Sequence, residues 1–126
     1  MVTIKPVRTG SVGVVTVSGE IDLVSGPRLR AVLDEVLDDP DPAAAAAPTG
    51  IVLDLTDVTF IGSAGLGVLV EAHERAAQRG SALKVVIGGP VSQVARALQA
   101  AGLDEHLDVH PSVESALPAE GHPAPG

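Results

Sequence analysis

At 126 residues the chain is long enough for one domain, which can bury roughly two-thirds of the surface its unfolded form exposes, and too short for a second core. A net charge of −8 argues against a phosphate-neutralising surface for nucleic acid, and the absence of cysteine excludes disulfides, thiolate chemistry and cysteine-ligated zinc. Phe60 is the only Phe, Tyr or Trp, so Val, Leu, Ile and Ala must fill the core, which favours helices packed on a sheet.

Two runs rich in β-branched residues, 3–7 and 12–18, flank Thr9-Gly10-Ser11 and predict an antiparallel hairpin, with Lys5 and Pro6 marking its first strand as an edge. After Gly19-Glu20-Ile21-Asp22, Ser25 and Pro27 form a cap-and-first-turn signature. Leu29, Val32, Leu33, Val36 and Leu37 then share one face of a helix that ends at Asp38-Asp39-Pro40. Residues 41–50 are rich in alanine and proline without sustained period and read as a mobile surface loop. A buried strand is expected over 51–55, broken by Thr56 and Asp57.

Beyond the break, Leu66, Leu69, Val70 and His73 recur at helical spacing, so a helix begins at Ser63 and stops near Arg79-Gly80. A strand over 83–87 follows. Gly88-Gly89-Pro90 opens a further helix whose Val91, Val94, Ala95 and Leu98 share a face and which stops at Gly102. A short strand over 107–109 and a short helix over 112–117 close the domain at residue 117. Residues 118–126, PAEGHPAPG, lack the apolar surface to offset ordering entropy and read as a disordered tail.

A hairpin followed by alternating helices and strands predicts an α/β fold with a mixed, mostly parallel central sheet of about 4–5 strands flanked by about 4 helices. In such a sheet functional loops lie beyond the carboxyl ends of the parallel strands. Three loops qualify, 20–25, 60–65 and 88–91, and they are expected to converge around Ser63. With no signal-type apolar stretch in MVTIKPVRTG and no run of membrane-spanning length, the expected location is the cytoplasm, without membrane contact.

Catalytic and nucleotide motifs fail in detail. Gly62-Ser63-Ala64-Gly65-Leu66-Gly67 spaces its glycines as G-x-x-G-x-G, without a Walker lysine, and Ser63 lacks the G-x-S-x-G elbow. His106 and His110 lie four apart without an acidic ligand in register and read as polar side chains facing solvent. His73 falls on the apolar stripe of its helix and reads as packed or hydrogen-bonded. Asp22, Asp54 and Asp57 are explained by strand ends and turns more simply than by magnesium. No catalytic residue, metal or cofactor is expected: no acid, base and nucleophile are assembled, so the chain is not expected to be an enzyme.

Ser63 remains. At a helix N-terminus, unpaired amides and the positive end of the dipole favour either a capping oxygen or an added phosphate, and both readings stay open. Gly62, Ala64, Gly65 and Gly67 strip side chains from around the hydroxyl and let another backbone approach; Gly65 and Gly67 equally permit tight helix–sheet packing.

Val58-Thr59-Phe60-Ile61-Gly62-Ser63-Ala64-Gly65-Leu66-Gly67-Val68, together with Gly19-Glu20-Ile21-Asp22, resembles the bacterial anti-sigma factor antagonists, single-domain proteins of STAS type. The resemblance spans residues 2–117. In that family the loop reads Asp-Ser-Ser/Thr-Gly-Leu-Gly, and its first serine is phosphorylated by a serine kinase that doubles as the anti-sigma factor. Ser63 matches that serine, and the strand-end Gly-Glu-Ile-Asp element places Asp22 beside the loop. The chain departs at Gly62, where the family usually has aspartate, and at Ala64, where it often has serine or threonine. Residues 41–48 are also longer than the family's usual link.

The resemblance implies partner switching. The dephosphorylated protein binds the anti-sigma factor serine kinase and releases its sigma factor; phosphorylation at Ser63 ends the contact, and a PP2C-type phosphatase resets it. It implies a partner-binding surface made of Asp22, Ser25, Gly62, Ser63, Ala64, Gly65, Leu66 and Gly89, with no direct nucleic acid contact. The alternative is a small-ligand or nucleotide-sensing STAS module without phosphorylation control.

Overall fold

The period-two runs of valine, isoleucine and leucine build the middle of the molecule. In the computed structural model, which describes residues 2–9, 12–38, 50–89 and 92–117, they form a single five-stranded sheet in the order β1-β2-β3-β4-β5. The elements run β1 (Val2–Thr9), β2 (Val12–Ile21), α1 (Gly26–Asp38), β3 (Gly50–Ile61), α2 (Ser63–Gln78), β4 (Ala82–Val86), α3 (Gln93–Ala101), β5 (Asp108–His110) and α4 (Val113–Ala116). β1 pairs antiparallel with β2 and forms the expected edge; β2 with β3, β3 with β4 and β4 with β5 are all parallel. The expected loop over 41–48 and the tail 118–126 lie outside the described residues.

Strand alternation divides the core in two. Val15, Val17, Leu53, Leu55 and Val85 are sealed from solvent with Leu29 and Leu33 of α1, Leu69 of α2 and Leu98 of α3. Their neighbours in sequence, Val52 and Val86, point to the opposite face, where they meet Val12 and Ala116 of α4. Both small helices near the C-terminus are capped by serine: Ser92 Oγ accepts from the Ala95 amide at 3.1 Å and Ser112 Oγ from the Ser115 amide at 3.2 Å. α3 ends as expected on Gly102, whose φ of 72° is the left-handed conformation glycine adopts without a Cβ clash. Across the outside of α1 and α2, Arg30 pairs with Glu71 at 3.3 Å and Arg75 with Asp34. Among the described residues no helix is long and apolar enough to cross a membrane.

One strand differs in length from the sequence reading. β3 does not break at Thr56 and Asp57 but continues to Ile61. Asp54 Oδ1 accepts from both the Thr56 amide, at 3.0 Å, and the Thr56 hydroxyl, at 2.6 Å, which replaces lost ladder bonds. β3 also slips against β2 twice, between Thr16 and Ser18 and between Gly19 and Glu20, and each slip adds one residue on the β3 side. Thr56 and Asp57 are thereby turned outward, while Val58 and Ile61 regain the core. The extension carries β3 past the end of β4, whose pairing stops at Asp54 opposite Val86.

Candidate functional site

The long ends of β2 and β3 project side by side, joined through Ile21 opposite Ile61, and the two loops that follow them meet. The Gly62 amide donates to the Ile21 carbonyl at 2.9 Å, which closes the β3–α2 corner against the β2–α1 loop. Gly62, at φ −93° and ψ −178°, is the N-cap of α2 and offers no side-chain cap. Ser63 is thus the first residue inside the helix, not its cap, a correction to the capping reading. Its side chain is exposed, and among the described residues its hydroxyl has no hydrogen-bond partner. The first backbone bond onto the corner runs from the Leu66 amide to the Gly62 carbonyl at 3.0 Å, so the amides of the preceding turn are available to water or an anion.

On the facing loop, the expected cap of α1 is likewise displaced. Ser25 is 7% exposed, and its hydroxyl is spent on the loop: it accepts from the Asp22 amide at 2.9 Å and donates to the Glu20 carbonyl at 2.7 Å. Asp22 is the residue that caps the turn. Its Oδ1 accepts from the Val24 amide at 3.0 Å and the Ser25 amide at 2.9 Å, and its carbonyl accepts from the Gly26 amide at 2.8 Å. These bonds favour the ionised carboxylate. The Ser25 amide, then the Ser25 hydroxyl and the Val24 amide, hold the Asp22 carboxyl below its ordinary range.

Between Asp22 and Ser25, two apolar side chains are left in water, Leu23 at 81% and Val24 at 79% exposure, and Phe60 across from them is 44% exposed. Asp22, Leu23 and Val24 of the first loop and Phe60, Gly62, Ser63 and Ala64 of the β3–α2 corner line an open hollow of about 380 Å³. The glycines have separate tasks. A Cβ on Gly65 would stand 2.6 Å from Ile21 Cγ2 and 2.7 Å from Ile61 Cγ1, so the absence of a side chain lets the first turn of α2 lie on the strand ends. Gly67 has nothing within 4 Å and contributes no such packing. At Gly62 a Cβ would meet the Phe60 ring at 3.4 and 3.5 Å.

Of the residues singled out in the sequence, Asp22, Gly62, Ser63 and Ala64 come together at the hollow. Ser25 lies behind Asp22, and Gly65 and Leu66 pack beneath, Leu66 against the main core. Gly89 does not join them. Because β4 ends level with Asp54, the 88–89 turn opens lower on the sheet, with Gly88 at φ 82° against Thr56, and among the described residues those lining the hollow at Ser63 come from the 20–25 and 60–65 loops. Leu23 and Val24 were not singled out, although two consecutive apolar residues in a segment read as a loop are the signal that would have found them; Phe60, noted as the lone aromatic, was not assigned to the site. The remaining candidates stay apart: His73 meets the His106 ring edge-on at a centroid distance of 5.3 Å, and His110 Nε2 lies 2.9 Å from Asp108 Oδ1, misaligned for a hydrogen bond. Among the described residues no three histidine or carboxylate side chains gather as a metal site.

Residues 3–116 match the model of the STAS domain, nearly the whole of the described fold. The chain belongs to the STAS-domain family. It is 31% identical to the anti-sigma-F factor antagonist RsfB of Mycobacterium tuberculosis over 92% of this chain and 87% of the relative. To the anti-sigma-B factor antagonist of Listeria monocytogenes it is 33% identical over 74% of each. The crystal structure of an anti-sigma factor antagonist from Mycobacterium paratuberculosis superposes with a TM-score of 0.78 at 32% identity, covering 92% of this chain and 91% of that one. The resemblance read from the 58–68 run and the Gly-Glu-Ile-Asp element therefore extends through the entire STAS fold, hairpin and mostly parallel sheet included.

Proposed function

We propose that this STAS protein is an anti-sigma factor antagonist that binds an anti-sigma serine kinase in its dephosphorylated state, so releasing a sigma factor, and is switched off by phosphorylation at Ser63. The observation that carries the reading is the exposed Ser63 hydroxyl on the first turn of α2, without a hydrogen-bond partner among the described residues and lining one hollow with the exposed Leu23 and Val24. The 31–33% identity to proteins named as antagonists of anti-sigma factors supports the same role.

In this scheme the Ser63 oxygen attacks the γ-phosphorus of ATP held by the kinase, ADP leaves, and the hydroxyl proton passes to a base of the kinase. The chain itself contributes an accessible nucleophile and a helix terminus that tolerates the product. A phosphoryl group brings about −1.5 to −2 charges, which the first-turn amides of α2 can meet, while the Asp22 carboxylate across the hollow opposes it. Binding is therefore reversed at the surface without refolding. A PP2C-type phosphatase restores the hydroxyl. The chain needs no cofactor of its own in this role, and the site belongs in the cytoplasm with the sigma factor's machinery.

The test is capture from the source cell's extract by the native chain and by Ser63→Ala and Ser63→Glu, with the captured proteins identified by mass spectrometry. The native and alanine forms should retain an anti-sigma kinase and the glutamate form should lose it. A chain that captures no such kinase but shifts its amide resonances with a nucleotide or other small ligand would be the ligand-sensing module instead.

A further inference from the structure

The apolar wall opposite Ser63 is unusual for its rigidity and its exposure together. Leu23 and Val24 expose about four-fifths of their surface, yet the turn that carries them is tied at both ends: Asp22 Oδ1 takes the Val24 and Ser25 amides, and buried Ser25 returns a bond to the Asp22 amide. Two apolar side chains held outward on a fixed turn bind with little further loss of conformational freedom. Facing them, Gly62 and Ala64 bring almost no side chain, so the space between is an open hollow and not a packed contact. Among the described residues its lining holds one ionisable side chain, the acidic Asp22, and no cation.

We infer that this hollow is a socket for one apolar side chain of the partner, flanked on the partner by a basic residue facing Asp22, and that phosphorylation at Ser63 ends binding by filling the socket. This rests on the partner-switching reading above. The charge of the lining selects the flanking residue: an acidic partner would face Asp22 across a desolvated contact, whereas an Arg or Lys complements it and suits a protein of net charge −8. Steric occupancy decides the switch, because a basic partner residue would welcome added negative charge if there were room. The phosphoryl group grows from the wall that has no side chains into the space the partner's apolar group requires. Gly62 fits the same scheme. A Cβ at Gly62 would stand 3.4 Å from the Phe60 ring, so the glycine borders the ring and adds no charge to the lining.

Two experiments test this. In the first, affinity for the captured anti-sigma kinase is measured for Leu23→Ser, Val24→Ser, Ser63→Gln and Ser63→Glu. The two serine variants at exposed positions leave the fold intact, which circular dichroism checks, and each should weaken binding about tenfold or more, as buried anchors do. Ser63→Gln, bulky but neutral, should weaken binding as much as Ser63→Glu. If Ser63→Gln and Leu23→Ser bind as the native chain does while Ser63→Glu releases, the switch is one of charge alone and the socket is overturned, with the proposed function intact.

In the second, the probes acetyl-Leu-Arg-amide and acetyl-Leu-Glu-amide are titrated into the native chain without kinase, and amide shifts are followed by NMR. The arginine peptide should shift residues 22–24 and 60–64 and the glutamate peptide should not. Shifts with the arginine peptide in a chain that neither binds nor is labelled by any kinase would overturn the proposed function and keep the socket. No shift with either peptide, in a chain that does bind a kinase, would overturn the socket.

Discussion

Gly65 lies against Ile21 so closely that a Cβ on the glycine would stand 2.6 Å from the isoleucine Cγ2, and this contact sets the position of Ser63. It presses the first turn of α2 onto the strand end that leads into the Asp22 turn. Gly65→Ala should destabilise the domain by about 1–3 kcal/mol through overpacking, despite the better helix propensity of alanine. Gly67→Ala, in open space on the same helix, should instead stabilise it by up to about 1 kcal/mol. Urea unfolding of the two variants distinguishes them, and equal effects would mean that neither glycine serves the packing.

Ser25 holds the neighbouring loop from inside. Ser25→Ala removes the bond from the Ser25 hydroxyl to the Glu20 carbonyl and the one it accepts from the Asp22 amide, and should cost about 1–3 kcal/mol. The same variant should broaden the amide resonances of Leu23 and Val24 as the turn loosens. A sharp, unshifted spectrum would show that the Asp22 carboxylate alone fixes the turn.

Asp22 gives the loop a pH dependence. Its carboxyl is held below the ordinary value of 3.8 in the folded chain, so its contribution is complete at neutral pH and is lost as pH falls through the folded-state value. NMR titration should place the Asp22 midpoint below those of unperturbed aspartates. The stability gap between the native chain and Asp22→Asn should be present at pH 7 and close under strongly acidic conditions. A gap that persists unchanged below the folded-state midpoint would show that asparagine fails for another reason.

The architecture was legible because it rests on periodicity. The alternation in β2 and the Leu29, Leu33, Leu37 spacing in α1 are local signals that the tertiary fold reinforces. β3 was cut short because Thr56 and Asp57 read as breakers, and the compensation, bulges against β2 and an aspartate bonding its own backbone, involves pairing that no single strand reveals. The same limit governs the site. Gly89 was placed at Ser63 by a rule that assumes strands of equal reach, whereas β4 stops at the level of Asp54. Ser25 and Ser63 each looked like caps, yet one hydroxyl turns into the loop and the other faces solvent, a distinction that depends on which residue takes the N-cap backbone conformation.

Gly62→Asp restores the family's usual residue and separates stability from recognition. Aspartate is a good N-cap and the Phe60 ring needs to yield only slightly, so stability should change by less than about 1 kcal/mol. The rate of phosphorylation and the affinity for the kinase should both change, since the substitution adds a charge beside the hydroxyl and displaces the ring. Unchanged rate and affinity would remove position 62 from recognition.

Phosphorylation at Ser63 is the centre of the account. The native chain and Ser63→Ala, incubated with the captured anti-sigma kinase and ATP and then digested for mass spectrometry, give the most direct measurement. Ser63→Ala should be well folded, because the exposed hydroxyl makes no hydrogen bond among the described residues. Phosphate is expected on the Ser63 peptide of the native chain and not on the variant, and the native complex should dissociate as the phosphate accumulates. Equal labelling of both chains, or full labelling of Ser63 with the complex intact, would contradict it.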